Sequence, residues 1–143
     1  MAKPAHSIKI GLALGSGASR GWSHIGVINA LRAEGIEPHI LCGTSVGAII
    51  GGAYVAGNLD KLQRWVLDST RSDVLRFFDF IISRSGFVDS DRLNRFLEDY
   101  VAADETRIED LSMKFAAVST NLNTGREVWF TEGKLTEAVK AFL

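Results

Sequence analysis

The sequence lacks several features that would mark a specialised class of protein. It has one cysteine and a net charge of −1, so we expect neither a disulfide scaffold nor a nucleic-acid partner. Its longest apolar run, residues 46–57, is too short and too rich in glycine and alanine to span a bilayer. The first nine residues contain no apolar segment typical of a signal peptide. These absences predict a globular protein of a reducing, cytoplasmic compartment.

The apolar pattern predicts one α/β domain. The 143 residues are 46% hydrophobic and 23% charged, so the chain is long and apolar enough to form a hydrophobic core. Strands are predicted over residues 8–14, 39–42, 114–120 and 126–131. Helices are predicted over residues 22–34, 48–57, 59–69 and 92–101, and a further one begins at Lys134. The first strand, helix and second strand form a β-α-β unit, which predicts a parallel sheet. The last two strands predict a hairpin at its edge.

Two other stretches lie between the predicted helices. Residues 72–83 are apolar nearly all round, which favours packing in the core over contact with lipid. Asp89 to Asp91 precede the helix at 92–101 and are predicted to cap it.

The sequence Gly43-Thr44-Ser45-Val46-Gly47 lies where the second strand meets the next helix. A G-x-S-x-G sequence in that context is typical of a nucleophile elbow. The glycines avoid a clash in the crowded turn, the serine is held out in a strained conformation, and the helix N-terminus favours developing negative charge. The pentapeptide is equally compatible with a tight turn whose serine caps the helix.

A second glycine-rich turn, residues 15–21, follows the first strand. Both turns are expected at the carboxyl ends of adjacent parallel strands, where α/β sheets place their sites. Backbone N–H groups of Gly17, Ala18 and Val46 would then form an oxyanion hole facing Ser45. Nucleotide binding is the weaker alternative, because the second strand does not end in an acidic residue and the turn has no P-loop lysine.

The base that would activate Ser45 is not obvious from the sequence. His6, His24 and His39 all precede Ser45, whereas an α/β-hydrolase triad has its histidine after the serine. His24 is interpreted as a packing residue of the first helix. A carboxylate is the remaining candidate.

At this point the chain resembles bacterial patatin-like phospholipases. Residues 12–27 are similar to that family's oxyanion-loop segment, residues 43–47 match its elbow at the expected distance, and residues 115–127 resemble its RssA-type branch. The resemblance implies a three-layer α/β/α fold with a mostly parallel central sheet, truncated in this chain. It also implies a Ser–Asp dyad that cleaves lipid acyl esters through an acyl-enzyme, without metal or cofactor, in the cytoplasm or at the inner face of a membrane.

The resemblance also implies roles for individual residues. Ser45 is the expected nucleophile, and Gly43 and Gly47 form the elbow. The oxyanion hole is expected from Ser16, Gly17, Ala18 and Val46. Arg20 and Gly21 are expected to support the oxyanion loop, Arg20 through hydrogen bonds to backbone carbonyls.

Two departures from the family pattern stand out. Ser16 and Ala18 occupy positions where the family motif has glycine. The family's aspartate lies in an Asp-Gly motif, and this sequence contains no Asp-Gly dipeptide. We therefore expect residues 1–143 to be the N-terminal portion of one longer domain, with a natural inactive short form as the alternative. A regulatory protein that kept the fold and an acyl-binding or acyltransfer protein are the rival functions.

Overall fold

The computed structural model describes residues 8–70, 72–74 and 90–141. Its strands are β1 (Gly11–Leu14), β2 (Ile40–Gly43), β3 (Lys114–Thr120) and β4 (Glu127–Phe130). They form one sheet in the order β1-β2-β3-β4. The first three strands are parallel, and β4 runs antiparallel to β3 at the edge. The predicted mostly parallel sheet and edge hairpin are therefore confirmed.

Helices connect these strands. They are α1 (Ser23–Ala33), α2 (Val46–Val55), α3 (Leu59–Asp68), α4 (Ser90–Tyr100) and α5 (Leu135–Lys140). Short 3-10 helices precede α1 (Ala18–Trp22) and β3 (Ile108–Asp110). None of the described helices is long and apolar enough to cross a membrane. Of the apolar segment predicted over 72–83, only 72–74 are described, and they are helical; residues 75–83 and the cap at Asp89 lie outside the described residues.

The sheet packs against α2, the most buried helix. A Cβ on Gly51 of α2 would overlap the Leu41 side chain and lie 3.1 Å from Phe115 Cε2. Glycine thus lets the helix approach the sheet closely. Because side chains alternate along a strand, Ile40 and Trp129 belong to the opposite face, where they are 44% and 51% exposed. The two faces of the sheet therefore differ strongly in how well they are covered.

An aromatic cluster joins the first 3-10 helix to α3 and α4. The ring of Trp65 lies 5.8 Å from that of Trp22 and 4.9 Å from that of Phe96. Asn29 Nδ2 of α1 also donates to Gln63 Oε1 of α3 at 2.7 Å. Aromatic pairs of this kind add about 0.5–1.5 kcal/mol beyond their buried area. The contacts of Trp22 with this cluster therefore hold the 3-10 helix that follows the glycine-rich turn.

Candidate active site

Ser45 is the second of the two residues between β2 and α2 and directly precedes the helix. Its φ is 54° and its ψ is −127°, a conformation that costs a non-glycine residue on the order of 1–3 kcal/mol. Ser45 is at the N-cap position, yet its side chain makes no capping hydrogen bond. The capping interpretation left open by the sequence therefore does not describe this serine. What remains is a half-buried serine on a strained strand-to-helix turn, the geometry of a nucleophile elbow.

The glycines on either side of Ser45 are required by close backbone packing. A Cβ on Gly43 would overlap the Gly47 carbonyl. A Cβ on Gly47 would overlap the Leu14 carbonyl and lie 2.6 Å from Gly15 O. The elbow is thus pressed against the end of β1, and no side chain fits between them.

The two predicted turns do begin side by side. Leu14 pairs with Gly43 at the end of the β1–β2 ladder, and Thr44 N donates to Leu14 O at 3.1 Å. The first turn therefore leaves the sheet directly beside Ser45.

The first turn has an unusual backbone. Gly17 has φ of 149° and Ala18 has φ of 47°, the second being a conformation that L-residues adopt only with strain. The turn then tightens into the 3-10 helix, with Arg20 N donating to Gly17 O at 2.9 Å. Ala18 begins that helix and Val46 begins α2, so neither N–H has an acceptor within its own helix. Both remain candidate oxyanion donors.

Most residues of this turn are exposed to solvent. Ser16, Gly17, Ala18 and Arg20 are all solvent-exposed. Within the described residues, the Arg20 side chain forms no hydrogen bond with a loop carbonyl. Its supporting role therefore remains a prediction.

His24 makes a contact with this turn that sequence reasoning missed. Its Nε2 lies 2.9 Å from Gly15 O. A carbonyl oxygen only accepts, so His24 is the donor. His24 is the second residue of α1 and half-buried, and it does more than pack. The only hint in the sequence is a polar side chain in the first turn of a helix that follows the glycines.

A shallow cavity of about 280 Å³ opens beside the elbow. It is lined by the ends of β1 and β2 and by β3 and β4, including Thr44, Ser119 and Trp129. A larger cavity of about 870 Å³ lies between α3 and α4, and no residue of the elbow lines it. The strained serine stands at the elbow, beside the start of the first turn, so the elbow and not the larger cavity is the candidate site.

Comparison with known proteins fits this arrangement. The sequence profile of the family "Patatin-like phospholipase" matches residues 12–141. The chain belongs to this family. The predicted fold class, a patatin-like α/β/α fold with a mostly parallel sheet, is thereby confirmed.

Several curated relatives are similar over most of the chain. An uncharacterised NTE family protein of Mycobacterium tuberculosis is 39% identical over 94% of this chain. A lysophospholipase of Emericella nidulans is 30% identical over 92% of it. A patatin-like phospholipase domain-containing protein of Caenorhabditis elegans is 34% identical over 80%. The chain spans 37% of the mycobacterial relative's length and 9% of each of the other two.

Proposed function

We propose that the full-length protein is a serine lipid acyl hydrolase with Ser45 as nucleophile. The observation that carries this is Ser45 itself, which has φ of 54° and no capping hydrogen bond although it stands at a helix N-cap. A strained residue of this kind persists only where the surrounding structure enforces it, and such residues cluster at active sites. Gly43 and Gly47, with no room for a side chain, enforce it here.

The proposed reaction has two steps. Ser45 Oγ attacks the carbonyl carbon of an acyl ester while a base takes its proton. The tetrahedral intermediate collapses, the ester C–O bond breaks, and the leaving alkoxide receives that proton to depart as an alcohol. Water then hydrolyses the acyl-enzyme by the same route, releasing a fatty acid and Ser45. N–H groups of Ser16, Gly17, Ala18 and Val46 stabilise the oxyanion, with Gly21 and Arg20 supporting the loop.

The base is proposed to be an aspartate outside these 143 residues. The family resemblance places it in an Asp-Gly motif, which this sequence does not contain. Residues 1–143 would then be the N-terminal portion of one patatin-like domain. The small share of the relatives' length that the chain spans supports this interpretation.

The proposed substrate is a lipid ester. A relative named as a lysophospholipase supports a phospholipid or lysophospholipid ester. We propose further that a cytoplasmic protein meets this substrate at the inner face of a membrane. Assignment to the RssA-type branch rests on residues 115–127 alone.

The test is covalent labelling with a fluorophosphonate probe, which reports an activated serine. In the full-length protein we expect labelling at Ser45 and hydrolysis of a short-chain ester, both lost in Ser45→Ala. Ser112→Ala, a change at an exposed serine before β3, is the matched control and should behave as wild type. Absence of labelling in the wild type would favour a non-catalytic regulatory protein. Transfer of the acyl group to added alcohols in preference to water would favour an acyltransferase.

A further inference from the structure

We infer that His24 is a positioning residue for the oxyanion hole, holding the first peptide of the turn in the orientation that the reaction needs. The inference rests on the proposed function of Ser45. It is carried by the contact between His24 Nε2 and Gly15 O, which lie 2.9 Å apart.

The contact fixes a whole peptide plane. The Gly15 carbonyl and the Ser16 N–H belong to one peptide group, which is planar and trans. The N–H therefore points opposite to the carbonyl. When His24 holds the carbonyl of Gly15, it also sets the direction of the Ser16 N–H, one of the proposed oxyanion donors.

The same carbonyl also lies close to the elbow. A Cβ on Gly47 would lie 2.6 Å from Gly15 O, so this oxygen is near both the His24 ring and the backbone two residues after Ser45. Gly17 and Ala18, two and three residues after Gly15, have positive φ. A turn with so little intrinsic preference for its conformation needs contacts from outside to hold it. His24 and Gly47 provide them at its first peptide.

The contact also distinguishes positioning from proton transfer. The ring nitrogen that faces the turn is a donor and cannot accept the Ser45 proton. Both the neutral tautomer with hydrogen on Nε2 and the doubly protonated ring donate at this position. The hydrogen bond itself therefore forms with either form of the ring.

Three substitutions in the full-length protein test the inference. In His24→Gln the amide nitrogen is as many bonds from Cβ as Nε2 is, so the donor is retained. His24→Asn places its amide nitrogen one bond short, and His24→Phe keeps a ring without a donor. We expect kcat to fall about 10- to 100-fold in the Asn and Phe variants, because misplaced catalytic geometry costs rates of that order. KM should change little, and the Gln variant, which retains the donor, should keep a kcat close to that of wild type.

Several outcomes would overturn the inference. A Phe variant with wild-type kcat would show that His24 only packs against its neighbours and that its hydrogen bond has no effect on the reaction. A Gln variant as slow as the Phe variant would mean that the donor is not what matters. Thermal unfolding of each variant shows whether a loss of kcat follows from a loss of folding; a slow Phe variant must unfold at the same temperature as the Gln variant for the inference to stand.

A second measurement does not depend on catalysis. Nitrogen-15 NMR of the imidazole should show hydrogen on Nε2 of His24 when the ring is neutral, and hydrogen on Nδ1 alone would overturn the contact. If the wild type is not labelled by the phosphonate, the proposed function fails, and positioning for that reaction fails with it. The NMR result then tells whether the contact itself exists, so the two failures are distinguishable.

Discussion

Gly21 lies against the side chain of Val46: a Cβ on Gly21 would lie 2.8 Å from Val46 Cγ1. Gly21 belongs to the 3-10 helix that closes the first turn, and Val46 directly follows Ser45. The contact therefore sets the distance between the proposed oxyanion loop and the proposed nucleophile. Val46 is fully buried, so it has little room to move away.

This contact predicts an energetic coupling between the two turns. Gly21→Ala should lower stability by about 1–3 kcal/mol, the usual cost of overpacking, and should reduce kcat by pushing the loop from Ser45. Val46→Ala removes the methyl group in the way, so the double variant should lose less stability and less kcat than the sum of the two single losses. We expect a coupling energy of about 0.5–3 kcal/mol in a double-mutant cycle measured by urea unfolding. Gly26→Ala, where a Cβ meets no atom within 4 Å, is the control. Strictly additive effects of the two substitutions would show that Gly21 and Val46 do not act together.

The strain at Ser45 predicts an inverted order of stability for two inactive variants. Glycine is ordinarily the less stable choice because it loses more backbone entropy on folding. At φ of 54°, however, Ser45→Ala retains a backbone cost on the order of 1–3 kcal/mol that Ser45→Gly escapes. We expect both variants to lose ester hydrolysis and Ser45→Gly to be the more stable in urea unfolding. A more stable alanine variant would contradict the conformation described here.

Ala18 offers an independent test of backbone strain in the first turn. It has φ of 47° at a position where the family motif has glycine, so the departure from the motif coincides with a strained residue. Ala18→Gly should stabilise the protein by about 1 kcal/mol, since a left-handed alanine costs about 1–2 kcal/mol. Ala30→Gly, on the exposed side of α1, should destabilise by about 1 kcal/mol, as expected within a helix. Loss of stability in both variants would refute the left-handed turn.

Much of this fold was accessible from sequence patterns. Strand β3 begins and ends where apolar content predicts, at residues 114 and 120. Strand β1 was predicted from Ile8 but begins at Gly11, because its ladder with β2 begins at the pair Gly11–Ile40. Before that pair, Ile10 N donates to the His39 ring and not to a strand partner, and Ile8 is 85% exposed. Apolar character alone could not reveal the residue at which β1 begins to pair with β2.

The site was predicted in outline but not in its supporting contacts. The glycines and Ser45 are adjacent in sequence, so the elbow could be identified from local spacing. The contacts of His24 with Gly15 and of Gly21 with Val46 join residues 9 and 25 positions apart. They depend on how α1 and α2 meet the sheet, which no local pattern encodes.

Gly47 should tolerate no side chain at all. In Gly47→Ala the new Cβ would overlap the Leu14 carbonyl, and a backbone atom held in the β1–β2 region cannot shift as a flexible side chain can. We expect a loss of about 3 kcal/mol or more, at or beyond the upper end of overpacking costs, measured by urea unfolding against the Gly26→Ala control. A Gly47→Ala protein with wild-type stability and turnover would mean that the elbow is not packed against β1 as described.

The proposal that residues 1–143 are part of a longer domain predicts two linked defects in the isolated chain. A serine hydroxyl is a poor nucleophile without a base to take its proton, so the isolated chain should hydrolyse a short-chain ester slowly. The backbone donors still lower the barrier, and a residual rate about 10³- to 10⁴-fold above water is the precedent from triad enzymes that lack a member.

The second defect is association. Ile40 and Trp129 are 44% and 51% exposed on the sheet face opposite α2, and an uncovered apolar surface of this kind favours contact with other molecules. A protein extended through an Asp-Gly motif should both cover that face and supply the base.

The two forms should be compared side by side, with monomer fraction measured by size-exclusion chromatography and light scattering, and turnover measured with the same ester. Replacing the aspartate of that motif by asparagine in the extended form separates the two effects, since it should remain monomeric but become as slow as the short chain. If the short chain is monomeric and turns over the ester as fast as the extended form, the base lies within residues 1–143, and the Ser–Asp dyad must be abandoned.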